Sequence, residues 1–289
     1  MFLKKAWRRW CWTIPGRRDQ HPTSRLAHSQ VPMLSAITLY SNFAEDRRFS
    51  MDFYAGQLQG ALIAELGKMG LGHQVGIRRF QPRVPAWCRL LPARANLPMR
   101  IARYLAYPLQ VRGRDRSSIH HIIDHGYAHL VRALPAKRTV VTVHDLIPLL
   151  GWAGRIPGYR YPHRPRMAEF TLAHLKQMAR VIAVSENTKR DLVEMLGLDR
   201  ERIVVVPNGL NSVFRVLPAT KQMLRAQLGL PESGLLILTS GPDGACKNHE
   251  VSLEVLARVK KLLDQPVFMV RYGDFTGGGP GNDLWQQRV

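Results

Sequence analysis

A chain of 289 residues can form one large domain or two of ordinary size, and a hydrophobic share of 45% supplies a sizeable core, which excludes wholesale disorder. Lys and Arg number 42 against 21 Asp and Glu; the formal net charge of +21 favours polyanionic partners, although a GC-rich source genome would leave the same bias. Cys11, Cys88 and Cys246 are scattered with no CxxC, against a disulfide framework or zinc site and in favour of a reducing, cytoplasmic setting, and no stretch approaches the ~18 apolar residues of a membrane span.

The first 34 residues are basic and aromatic, with Trp7, Trp10 and Trp12 among cations, and Pro15, Gly16 and Pro22 stop any helix early. They read as a disordered extension, with a membrane-surface anchor as the alternative. From residue 35 short apolar runs alternate with helical patterns. Ala36–Tyr40 is the first strand; Ser50–Met69 is a helix with a stripe through Phe53, Leu58, Leu62 and Leu66, stopped by Gly70. Gln74–Phe80 is a strand and Met99–Leu109 helical. Ile119–Asp124 and Thr139–His144 are further strands, followed by a Gly/Pro/Arg-rich loop and a helical stretch at Arg166–Met178. Arg180–Ser185 is a strand, Ser185 the candidate N-cap of a helix running to Leu196, and Arg202–Val206 another strand. This alternation predicts an α/β domain over 35–206 with a mostly parallel sheet, and the near-continuous apolar runs suit strands buried on both faces.

Val206-Pro207-Asn208-Gly209 marks a boundary, with a hinge over 207–218. A second unit of the same kind then starts at 219: a helix at Thr220–Leu228, a strand at Leu235–Ser240, a helix at Asn248–Leu263 and a strand at Pro266–Tyr272. So few elements cannot cover both faces of an open sheet, so this unit is expected to be incomplete.

In open parallel sheets ligands bind at the carboxyl ends of the strands. His144-Asp145 leaves one such strand, an imidazole for a sugar hydroxyl with a carboxylate to orient it. Ser185-Glu186 opens a helix, whose free N–H groups suit an anion or serve as a plain cap. Gly241 to Asn248, with Lys247 at a helix start, is a glycine-containing strand-to-helix loop suited to a diphosphate, though not a P-loop. His120, His121, Asp124, His125 and His129 form a cluster of potential metal ligands, but neighbouring histidines on a strand face opposite ways, so no metal is expected, and His125 beside Gly126 fits a hydroxyl-binding rim.

Taken in order, 140–148 (VVTVHDLIP), 180–192 (RVIAVSENTKRDL), 203–209 (IVVVPNG) and 247–250 (KNHE) resemble glycosyltransferase family 4, and Ser50 to Ala55 is similar to the first helix of mannosyltransferase-like members. The resemblance implies a GT-B fold of two Rossmann-like domains and retaining, metal-independent transfer of a sugar from a nucleoside-diphosphate donor to an acceptor hydroxyl. It places Lys247, with Gly241 and Asn248, on the diphosphate. His144 with Asp145 sits at the transferred sugar, His125, Gly126, Ser185 and Glu186 form the acceptor or sugar rim, and Asn208-Gly209 enters the donor domain. No cofactor is implied beyond the donor substrate. The partners are a glycan or lipid-linked acceptor in polysaccharide synthesis, with peripheral contact at the inner membrane face and no specific nucleic acid. Three departures stand out. Cys246 replaces an arginine, residues 43–48 replace a glycine-rich loop, and the acidic Glu-x7-Glu pair is missing, so this polypeptide is expected to be a truncated and inactive fragment. A non-catalytic basic module on membrane or nucleic acid, or a GT-B epimerase, are the alternatives.

Overall fold

The computed structural model describes residues 34–161, 163–209, 221–227, 229–241 and 247–272. The N-terminal extension other than Leu34, most of the hinge, the loop carrying Cys246 and the glycine-rich stretch after Tyr272 lie outside the described residues. Contacts divide the chain into two units, the second taking Ala153–Pro162 as well as everything from Ser212 onward.

The first unit is built on a six-stranded sheet, β1 (Ala36–Tyr40), β2 (Gly76–Phe80), β3 (Ile119–Ile122), β4 (Thr139–Val143), β5 (Arg180–Ala183) and β6 (Ile203–Val205), in the order β2-β1-β3-β4-β5-β6. Every pair is parallel, with Ile37 opposite both Ile77 and Ile119, and Val181 opposite both Val141 and Ile203. All five residues of β4 are buried, as its uninterrupted Thr-Val-Val-Thr-Val run requires of a strand covered on both faces. This is the α/β domain with a parallel sheet expected from the alternation of elements, and the Rossmann-like form that the family resemblance implies.

Period-two alternation sends Ile37 and Leu39 of β1 into one core layer and Tyr40 into the other. The first layer is closed by α1 (Phe49–Lys68), which buries Ala55 and Leu66 and packs Met51, Tyr54, Leu58 and Leu62 beside them. Phe53 is a correction: it is half exposed, because it stands five residues before Leu58 and so roughly 140° around the helix from the Leu58–Leu62–Leu66 row. Gly70, at φ 71, ends the helix as its position suggested.

The opposite layer holds a helical run at Leu97–Ile101, Ala102–Ala106 and Tyr107–Val111, followed by the kinked helix His125–Ala133 and then Arg166–Ala173. Ala102–Ala106 is a π-helix: the Tyr107 N–H reaches back to the Ala102 carbonyl, and the wider register falls just where Pro108 has no N–H for an α-helical bond. The Gly/Pro-rich loop expected after β4 instead begins with a short helix, Ile147–Trp152, whose Pro148 stands in the first turn, where a missing N–H costs nothing.

In the second unit, β7 (Leu235–Ser240) and β8 (Val267–Tyr272) pair in parallel and are joined by the helix His249–Leu262. Buried Arg225 donates to the carbonyls of Pro231, Ser233 and Gly234, which fixes the loop entering β7. Among the described residues, no helix is long and apolar enough to cross a membrane.

Candidate functional site

The chain runs from β1 to β2 on one flank of β1 and then back past it to β3 on the other, so the strand order reverses there, which is where open parallel sheets form a ligand crevice beyond their strand ends. Asp124, leaving β3 at this point, is buried. One carboxylate oxygen accepts from Asn42 Nδ2 at 2.7 Å and from an Arg48 guanidinium nitrogen at 3.0 Å; the other accepts from the Gly126 N–H at 2.8 Å. Burial opposes this charge, but the Arg48 guanidinium and the hydrogen bonds donated by the Gly126 N–H and Asn42 favour it, and the Asp124 pKa lies below the ordinary carboxylate value. Gly126 has a structural reason here: a Cβ on it would sit 3.2 Å from an Asp124 oxygen.

His125 and His144 leave neighbouring strands with ring centres 6.5 Å apart. The His144 Nε2–H donates to the Ile123 carbonyl at 2.9 Å, which orients the ring and leaves Nδ1 free of that contact. Tyr54 meets that ring edge-on at 5.0 Å, and the Tyr54 hydroxyl is 3.1 Å from Thr142 Oγ1. His125 Nδ1 accepts the His144 main-chain N–H at 3.4 Å and stands 3.6 Å from Asp124. Burial pulls the His125 pKa down against the carboxylates of Asp124 and Asp145, so the ring is held neutral with Nε2 as its donor. Two imidazoles beside a buried carboxylate make a rim suited to sugar hydroxyls.

Asp145 does not orient His144, contrary to the reading of the dipeptide. Its carboxylate accepts the Ile147 N–H at 3.1 Å and starts the next helix, while the Ile123 carbonyl orients the imidazole. Ser185 caps the helix Glu186–Leu196, accepting the Thr188 N–H at 3.1 Å, and Glu186 is exposed in its first turn. Thr188 also donates to the His144 carbonyl at 3.4 Å, which ties that helix to the crevice. Asn208 and Gly209 follow β6, exposed. His120 and His121 are spent on separate tasks: His120 accepts from the Tyr40 hydroxyl at 2.8 Å, and His121 stands 2.9 Å from Thr142 Oγ1. Among the described residues, no group of three His, Cys, Asp or Glu is placed to hold a metal ion.

In the second unit Gly241, Lys247 and Asn248 come together where β7 hands over to the helix. Gly241 has φ 124, and a Cβ there would meet Lys247 Cδ and Cε at 2.9 Å, so the glycine makes room for the lysine stem. Asn248 precedes the helix in the left-handed region, and Lys247 is exposed beside the first free N–H groups. An exposed ammonium against a helix N-terminus suits a phosphate group.

Sequence reading passed over Asn42, Arg48 and Tyr54. Asn42 was within reach, being a polar residue one step beyond the end of β1; nothing local marks the other two.

The profile described as Glycosyltransferase Family 4 matches residues 43–213, more than half of the chain. The chain is also 31% identical over 101 residues to a D-inositol 3-phosphate glycosyltransferase of Geodermatophilus obscurus, a match covering 35% of this chain and 22% of that enzyme. The chain thus aligns with about a fifth of the length of that relative.

Proposed function

Because the chain belongs to glycosyltransferase family 4, and is by that membership a glycosyltransferase, we propose that it moves a sugar from a nucleoside-diphosphate donor to a hydroxyl of a glycan or lipid-linked acceptor, with retention and without a metal. The observation that carries this reading is the gathering of Asp124, His125 and His144 at the point where the strand order reverses. His144 offers Nδ1 to a sugar hydroxyl and neutral His125 offers Nε2–H, with Arg48 and Asp124 paired beside them. Lys247 and the N–H groups beginning the second unit's helix would neutralise the charge that grows on the leaving diphosphate, which is electrostatic stabilisation by a prearranged site. Asn208-Gly209 would serve as the hinge into the donor domain, and Asp145, Ser185, Glu186 and Gly126 shape the rim through backbone positioning. The glycosyltransferase named among the relatives acts, by its name, on a phosphorylated polyol, which supports a hydroxyl-rich acceptor here. Polysaccharide synthesis at the inner membrane face and a mannosyltransferase-like donor preference complete the proposal.

The test is release of nucleoside diphosphate from GDP-, UDP- and ADP-sugars, together with donor binding by calorimetry. Lys247→Ala should weaken donor binding roughly tenfold to a hundredfold, the worth of one charge-assisted contact. In a chain extended through the acidic Glu-x7-Glu pair, no binding or turnover with any of these donors, or a Lys247→Ala variant binding as tightly as its parent, would refute the reading.

A further inference from the structure

A cavity of about 790 Å³ lies in the helical layer of the first unit, away from the strand exits. Its walls include Arg112, Gly113, Arg114 and Arg116, leading into β3, and Ala133–Pro135, leading towards β4, so it lies towards the N-terminal ends of those strands, opposite His144. Its size is that of a pocket for one small ligand.

The lining has two chemical halves. Leu105, Leu109 and Phe170 form an apolar side, and all three are substantially exposed, so the apolar surface continues out of the mouth. Arg112, Arg116 and Arg132 form a cationic side; each is exposed, and among the described residues none forms an ion pair. Two other arginines are already engaged. Arg114 lies over the Phe80 ring at 4.7 Å, and Arg103 is paired with Asp46 at 2.8 Å. The one carboxylate in this stretch, Asp115, is taken up by the hydroxyls of Ser35, Ser117 and Ser118.

A buried group also lacks a partner. His129 lines the cavity, is 2% exposed and gives its Nε2–H to the Arg103 carbonyl at 2.8 Å. Its Nδ1 is buried with no hydrogen-bond partner. Burial lowers its pKa to about 4, so Nδ1 is a lone-pair acceptor awaiting a donor. An unsatisfied buried nitrogen carries a cost that a bound hydroxyl would remove. The π-helix contributes both the Arg103 carbonyl and Tyr104, whose ring lies 4.7 Å from that of His129.

We propose that this cavity is a site for an anionic phospholipid. Its phosphate would lie on Arg112, Arg116 and Arg132, a headgroup hydroxyl would donate to His129 Nδ1, and the start of the acyl chain would pass along Leu105, Leu109 and Phe170. A soluble phosphate ester would use the cations and the imidazole but leave the exposed leucines without purpose, which decides for a lipid. The site would hold this face of the first unit against an anionic membrane surface, independently of the sugar-transfer reading.

The experiment is co-sedimentation of the full chain with phosphatidylglycerol/phosphatidylcholine vesicles and with phosphatidylcholine alone. Because the chain is basic throughout, R112S/R132S is compared with R78S/R200S, which removes the same charge from exposed positions outside the cavity. R112S/R132S should lower the affinity for anionic vesicles about thirtyfold, from ~1 kcal/mol for each cation at the surface, and R78S/R200S far less. L105S/L109S, which keeps every charge, should also weaken vesicle binding severalfold. Equal losses for the two arginine pairs would overturn the site. So would wild-type binding by L105S/L109S together with full displacement of vesicles by millimolar inorganic phosphate, since the cavity would then take a free anion. All four replaced cavity residues are exposed, and unchanged thermal melts would confirm that each variant folds.

Discussion

Lowering the pH from 7 to 4 should unfold the first unit through its buried histidines. Burial pushes the pKa values of His121 and His129 from 6.5 down to about 4. For His121 the nearby His144 adds to the effect, and for His129 the hydrogen bond to the Arg103 carbonyl offsets part of it. In the unfolded chain both titrate near their ordinary value. Above 6.5 neither state binds the proton and there is no penalty. Between 6.5 and about 4 the unfolded chain takes up protons that the folded chain refuses, so stability falls throughout that window and levels off below it. The gap between 6.5 and about 4 is worth roughly 3 kcal/mol for each ring. Two such rings approach the whole stability of an ordinary domain, about 5–15 kcal/mol. His120 and His125 shift in the same direction and steepen the fall. The assay is urea unfolding at a series of pH values, followed by tryptophan fluorescence and circular dichroism. Stability should drop by at least ~2.7 kcal/mol per pH unit in mid-window, the slope for two protons. His129→Gln, which can still donate to the Arg103 carbonyl, should remove about half of that two-proton contribution. Stability that is flat between pH 6.5 and 5, or a His129→Gln slope equal to that of the parent, would refute the assignment of these protons.

Asp124→Asn removes the charge that gathers Arg48, Asn42 and the Gly126 N–H; with Arg48 half exposed, the loss should be about 2 kcal/mol, seen as a lowered melting temperature. Gly241→Ala puts a Cβ 2.9 Å from the Lys247 stem at a φ that side chains rarely adopt, so it should weaken donor binding to a similar extent as Lys247→Ala. Calorimetry with a nucleotide-sugar tests this, and donor affinity equal to the parent's would separate Gly241 from the lysine.

β1 was legible because a strand buried on both faces demands an unbroken apolar run, and it falls at the residues where that run begins and ends; β7 also lies at its expected residues, although it is only partly covered. Ser185 was legible as a cap because its hydroxyl acts within three residues. Phe53 was misplaced because counting apolar residues does not fix the phase of a helix; Met51, Tyr54 and Ala55 share the buried face instead. The helix at Ile147–Trp152 was read as loop because Pro148 and Gly151 count as breakers, although a first-turn proline is well tolerated.

The crevice was only half legible, and for a single reason. Every residue named at a strand exit lies at one, since the rule about carboxyl ends needs only the strand boundaries. What each side chain does there depends on which strand is its neighbour. His144 turns to Ile123 rather than Asp145 because β3 and β4 are adjacent. Asn42 and Arg48 reach Asp124 across 82 and 76 positions because β3, not β2, lies on that flank of β1. Sequence proximity thus paired the His144 imidazole with Asp145, whereas strand order sets the Ile123 carbonyl against it. The buried carboxylate of this site, Asp124, therefore follows β3, and the pairing of β3 with β1 brings it together with Asn42 and Arg48.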